Sequence, residues 1–187
     1  MKSVIIRFST CTEENMEKYF TNLKVETIQR VIKNTFKISS FCYPTFDYWL
    51  DSKVIPELLL GKRDILFVFD AEASKKLFGL AILKLGDTEK KICSFRIEPD
   101  YQRNGLGKEL MLECFDVLGT DKPMITVPRD RSLSLTDPEN CYAAFDNFIR
   151  KYFPKSFELR QKAIDYYREG FTEYVYNGIL PLKDLKM

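Results

Sequence analysis

The stretch from Lys90 to Leu118 constrains this chain more than any other, because it reads as a strand, a tight glycine turn and a helix in immediate succession. In Lys91-Ile92-Cys93-Ser94-Phe95-Arg96-Ile97-Glu98 the apolar residues Cys93, Phe95 and Ile97 alternate, which is the period of a strand, and Pro99 ends it. Asp100-Tyr101 and Gln102-Arg103-Asn104-Gly105-Leu106-Gly107 follow. Then Leu106, Leu110, Met111, Cys114, Val117 and Leu118 form one helical stripe opposite Lys108, Glu109, Glu113 and Asp116. The first turn of a helix leaves backbone N–H groups without partners, and the macrodipole adds partial positive charge there, so such an end takes phosphate. Gly105 and Gly107 carry no Cβ, so a diphosphate can lie against their backbone, and Arg103 and Lys108 add cationic side chains at the mouth.

Spacing separates the ligand families that use this arrangement. A Walker A loop needs Ser or Thr after Gly-Lys, and Gly107-Lys108 is followed by Glu109. A dinucleotide turn needs a third small residue where Leu110 stands. Gln102-x-x-Gly105-x-Gly107, between a strand ending Ile97-x-Pro99 and an amphipathic helix, resembles the acetyl-CoA pyrophosphate loop of the GNAT superfamily of N-acetyltransferases.

That resemblance implies an α/β fold: a mixed central sheet of about seven strands flanked by helices, splayed between the strands ending near Ile97 and Val127. It also implies that Gln102, Arg103, Asn104, Gly105, Leu106, Gly107 and Lys108 hold the diphosphate of acetyl-CoA, the co-substrate. Pantetheine would enter the splay, with Arg96 and Ile97 offering backbone groups to its amides. The activity implied is direct transfer of an acetyl group to a primary amine of a small molecule or protein. The alternative is a catalytically weak or inactive acyl-CoA-binding regulatory module.

The 187 residues suffice for one domain with a sizeable core and are too few for two ordinary ones, so a single domain over 1–187 is expected. No apolar run approaches membrane-spanning length and no signal-peptide order opens the chain, so a cytosolic location without a membrane partner is expected, as monomer or homodimer. A formal net charge of +2 argues against a nucleic-acid partner. The complete absence of histidine removes the usual general base, the commonest metal ligand and every Ser-His or Cys-His nucleophile, so those hydrolases are excluded and no metal is expected. The five cysteines are scattered without Cys-x-x-Cys spacing and read as reduced, mostly packed thiols, Cys93 included.

Along the chain, Ser3 to Phe8 reads as a first strand, and Thr12 caps one bent helix or two that run to Phe36. From Ser39 to Leu60 the chain is aromatic, with Pro44 and Pro56 expected to interrupt any long helix; the resemblance places this region beside the acceptor groove. Gly61-Lys62-Arg63-Asp64 reads as a turn into the strand Ile65–Phe69, and Leu77–Leu85 returns, giving an antiparallel meander into the pivotal strand. Pro123 to Pro128 reads as the next strand, a parallel neighbour of the pivotal one by right-handed crossover. Asp137-Pro138 should start a late helix that Pro154 stops. The tail 157–170 permits a helix, or a hairpin closing with a strand Phe171–Tyr176; the hairpin keeps the family's order and is favoured.

Acetyl transfer needs a neutral amine, a stabilised oxyanion and a protonated leaving thiolate. With the hairpin, the tyrosine acid is Tyr152, as readily a core residue; with the helix, it is Tyr166, or Tyr167 one residue on. Positions that carry a glutamate base in relatives hold Lys91 and Val127, which leaves a backbone-relayed water or a carboxylate such as Glu98.

Overall fold

The computed structural model describes residues 2–11, 29–33, 42–72, 76–134 and 141–182. Its strands are β1 (Ser3–Arg7), β2 (Arg63–Asp70), β3 (Leu77–Leu85), β4 (Lys90–Ile97), β5 (Met124–Asp130), β6 (Leu159–Ile164) and β7 (Phe171–Tyr176), and they form one seven-stranded sheet in the order β1-β2-β3-β4-β5-β7-β6. β2, β3 and β4 make the expected antiparallel meander, and β1 pairs antiparallel with β2 at the sheet's edge. β4 and β5 are parallel neighbours, joined by the helix α3 (Leu106–Leu118). The tail resolves as the hairpin, β6 pairing antiparallel with β7.

β2 and β3 read as near-continuous apolar runs because both faces of the sheet are covered. On one face Leu66, Val68, Phe78, Ala81 and Leu83 pack with Leu106, Leu110, Met111 and Cys114 of α3 and with Ile149 of α4 (Cys141–Tyr152). On the other, Ile65, Phe67, Phe69, Leu80 and Ile82 alternate toward Phe46, Leu50, Val54 and Ile55. The period of two along each strand therefore sorts its side chains into two cores.

Two sequence expectations are corrected here. Arg63 and Asp64 are not a turn but the start of β2, both buried. Each charge is satisfied: Arg63 Nε donates to Glu57 at 2.6 Å, while Asp64 accepts from Arg7 Nε at 2.5 Å, from Ser9 Oγ at 2.6 Å and from the Ser9 N–H at 3.1 Å. Nor does Pro56 interrupt the helix it lies in. The segments α1 (Phe46–Trp49), a π turn (Leu50–Val54) and α2 (Ile55–Leu59) run on without a break. The π turn widens the helix so that Ile55 N–H reaches Leu50 C=O, five residues back, and Pro56 then occupies the first turn of α2, where its missing N–H costs little.

The helix expected from Thr12 to Phe36 lies outside the described residues except for 29–33, which are helical and bury Ile32. The Asp137-Pro138 helix start also lies outside them.

Candidate active site

β4 and β5 stay together only at their beginnings. Their register consists of Lys91 opposite Met124 and Ile92 opposite Ile125, yet β4 continues to Ile97 and β5 to Asp130. Beyond Ile92 the strands part, so β4 backbone groups on that side have no ladder partner in β5. A slot of about 150 Å³ fills the divergence, lined by Cys93 to Arg96 on one side and by Ile125 to Pro128 on the other. Cys42, Tyr43, Cys141 and Phe145 complete its walls.

Cys93 is a β-bulge: Ser94 pairs with Ile82 and Ile92 with Leu83, which leaves Cys93 unmatched on β4 at the narrow end of the slot. Such a residue can turn a backbone group out of the ladder. Its Sγ accepts a hydrogen bond from Arg63 Nη1 at 3.0 Å.

At the C-terminal end of β4 the chain makes a 3₁₀ turn (Pro99–Tyr101) and enters α3 through Gly105, the N-cap, at φ +88°. A Cβ there would meet nothing within 4 Å, so the glycine is required by backbone conformation and leaves open space over the turn. Lys108 and Glu109 both donate their N–H to Gly105 C=O, while helix geometry leaves the N–H groups of Leu106 and Gly107 pointing outward. Arg103, Asn104 and Lys108 are exposed around them, Arg103 in the left-handed region at φ +65°. Gln102 has a more particular place: its Nε2 donates to Ile97 C=O at 2.9 Å and ties the turn to the end of β4. Arg96 Nε is paired with Glu98 at 2.8 Å. Of the stretch from Arg96 to Lys108, Arg96 lines the slot, Ile97 and Leu106 are buried, and Gln102, Arg103, Asn104, Gly105 and Lys108 are exposed.

The tyrosines are distributed differently from that loop. Tyr152 ends α4, is 40% exposed and lies with its ring 6.0 Å from Lys108 Nζ, beside the glycine turn rather than at the narrow end of the slot. Tyr166 donates its hydroxyl to Pro181 C=O at 3.0 Å. Tyr167 lines a second cavity, of about 250 Å³, which continues the slot past Tyr43, Cys93, Ser94 and Thr126. Tyr43 borders both, and its ring meets that of Tyr167 edge-on at 5.3 Å.

Behind Tyr43 stands a carboxylate that sequence reasoning missed. Glu173 sits in the middle of β7 opposite Pro128 and is 1% exposed. Its Oε2 accepts the Tyr43 hydroxyl at 3.1 Å, and among the described residues Oε1 has no partner. Burial pushes its pKa up to about 7, against the downward pull of the Tyr43 hydrogen bond and of Lys91. The available signal was one charged residue inside the otherwise strand-like Phe171-Thr172-Glu173-Tyr174-Val175-Tyr176. Its pairing with an aromatic far away in sequence carried no signal at all.

The site is framed by a seven-stranded sheet with parted central strands and by a helix entered through a glycine turn after β4. The sequence matches the family model described as the GNAT acetyltransferase family over residues 29–125, more than half of the chain. The chain belongs to that family. No curated protein sequence matches it. Among solved structures, it is similar to a candidate GNAT-family acetyltransferase from Desulfovibrio desulfuricans, with TM-score 0.60 and 13% identity over 94% of this chain and 97% of that one. An aminoglycoside 6'-N-acetyltransferase complexed with coenzyme A superposes with TM-score 0.55 and 11% identity, over 97% of this chain and 99% of its own. The ribosomal-protein-S18-alanine N-acetyltransferase of Escherichia coli gives 0.52 and 12%, over 94% and 92%. At these identities the likeness is one of fold. Among the described residues no helix is long and apolar enough to cross a membrane, and no cluster could hold a metal ion.

Proposed function

We propose that this chain transfers the acetyl group of acetyl-CoA directly to a primary amine. The observation that carries the reading is the loss of β4–β5 pairing after Ile92 and Ile125, which opens a slot from the glycine turn to the second cavity. A linear thioester arm fits such a slot. The outward N–H groups of the first turn of α3, Gly105 without a Cβ, and the cations Arg103 and Lys108 suit the diphosphate at its open end. Gln102 positions that turn through Ile97 C=O, and Asn104 is exposed beside it. The bulge leaves Cys93 without a partner in the β3 register at the narrow end of the slot, and in this proposal a backbone N–H there takes the thioester carbonyl oxygen.

Glu173 and Tyr43 supply the proton chemistry in this proposal. The acceptor ammonium gives one proton to the Tyr43 oxygen as Tyr43 passes its own to Glu173, and the neutral amine nitrogen then forms a bond to the acetyl carbon, whose carbonyl oxygen becomes the oxyanion. When the carbon–sulfur bond breaks, Tyr43, which borders both cavities, returns the proton held by Glu173 to the thiolate, and the remaining extra proton on the nitrogen goes to water. Tyr152 lies beside Lys108 at the mouth, and Tyr166 spends its hydroxyl on Pro181, so neither is as close to the narrow end. A buried carboxylate that is half ionised near neutrality also weakens the alternative of a binding module without a base.

Calorimetric titration of the chain and of Gly105→Glu with coenzyme A tests the reading. The Gly105→Glu side chain would project its charge into the open space over the turn, and affinity should fall at least a hundredfold while the far-ultraviolet circular dichroism is unchanged. Equal affinity would refute it.

A further inference from the structure

We infer that the acceptor is a small primary amine that also carries a carboxylate or a phosphate; the inference rests on the acetyl-transfer reading and names the substrate class of that same site. The second cavity is lined by four cationic side chains, Lys53, Arg63, Lys84 and Lys91, against one carboxylate, Glu89. Two of the cations are already answered. Arg63 is paired with Glu57 and lies 5.4 Å from the centre of the Trp49 ring, and Lys84 is in an ion pair with Glu89. Among the described residues, Lys53 and Lys91 are in no ion pair with a carboxylate.

The cavity therefore offers both a carboxylate and a surplus of cationic charge. At the Tyr43 end, the Glu173 carboxylate stands ready to accept the proton of an ammonium group. Lys91 is near enough to Glu173 to pull its pKa down, Lys53 lines the same cavity from the helical side, and together they leave cationic charge in surplus in a concave site. An amine that also carries an anionic group satisfies both. A polyamine would bring further positive charge against the lysines, and a neutral amine would leave them unanswered. At about 250 Å³ the cavity falls below the roughly 300–1,000 Å³ that hold drug-sized ligands, which suits a molecule of amino-acid or amino-sugar size. Aromatic faces at Phe46, Trp49 and Tyr167 give its carbon skeleton something to pack on.

The test uses the full chain with acetyl-CoA and follows release of free thiol against matched amines: β-alanine with β-alaninamide, glucosamine 6-phosphate with glucosamine, and spermidine as a polycation. The carboxylate and phosphate arms distinguish the two sources of negative charge. In at least one pair the anionic member should show a kcat/KM at least tenfold above its neutral partner, and spermidine should be the poorest. Lys53→Glu should erase that ratio through KM while acetyl-CoA affinity, measured separately, is unchanged. Preference for the neutral or polycationic amine, or a ratio that survives Lys53→Glu, overturns the inference. Where no amine turns over, calorimetry of the same amines on the chain saturated with coenzyme A decides: tighter binding of the anionic members supports the inference and equal binding overturns it. Failure of coenzyme A to bind at all would instead sink the acetyl-transfer reading.

Discussion

Substituting Glu173→Gln separates the chemical role of the buried carboxylate from its cost to the fold. Glutamine keeps the shape and can still accept from Tyr43, but it cannot take a proton at neutral pH. A positioned general base contributes roughly 10²–10⁴ in rate, so kcat/KM should fall by that factor. In the parent protein kcat/KM should climb through about pH 7 as Glu173 ionises, and the variant should lose that limb. Stability should move the other way. The folded pKa of about 7 stands above the ordinary 4.5, so the native state holds its proton more tightly than the unfolded chain. The stability this lends is fully present below pH 4.5 and is lost as pH rises through about 7. At 1.36 kcal/mol per pH unit the parent protein gives up about 3 kcal/mol across that window, and the glutamine variant does not. Thermal melts at pH 5 and pH 8.5 should thus show the variant gaining on the parent at the higher pH, by roughly 2–4 °C per kcal/mol. A variant with kcat/KM within threefold of the parent, the same rising limb and the same pH dependence of Tm would refute the assignment.

Tyr43→Phe, which removes the hydroxyl between the two cavities and leaves Glu173 without its donor, should lower kcat about a hundredfold with little change in coenzyme A affinity. If Tyr152→Phe produced that loss instead in the same thiol-release assay, the proton donor would be the tyrosine at the end of α4. Gly79→Ala should destabilise the protein by about 1–3 kcal/mol in urea titration, since a Cβ on β3 would lie 2.5 Å from Arg96 O and 2.6 Å from Ile97 Cδ1.

Local signals determined a good deal of this protein. The strand, glycine turn and helix over 90–118, the strand at 77–85 and the last strand at 171–176 each follow from residue periodicity and turn chemistry within a short window, and the structure places them there. The glycine turn proposed for the diphosphate was conspicuous for the same reason: spacing, glycines and basic residues all fall within a few positions of one another. Pro56 inside a continuous helix was not legible, because the π turn that accommodates it is shaped by packing of Leu50 and Val54 against the sheet. Nor was the burial of Arg63 and Asp64, whose partners Glu57, Arg7 and Ser9 the fold delivers. Glu173 is the plainest case. Only the tertiary structure carries β7 beside β5 and lays Tyr43 over it across 130 residues of chain, and burial then raises the pKa of an ordinary glutamate to about 7. A carboxylate's pKa depends on the solvent and charges around it, and those are set by which segments meet in the folded protein.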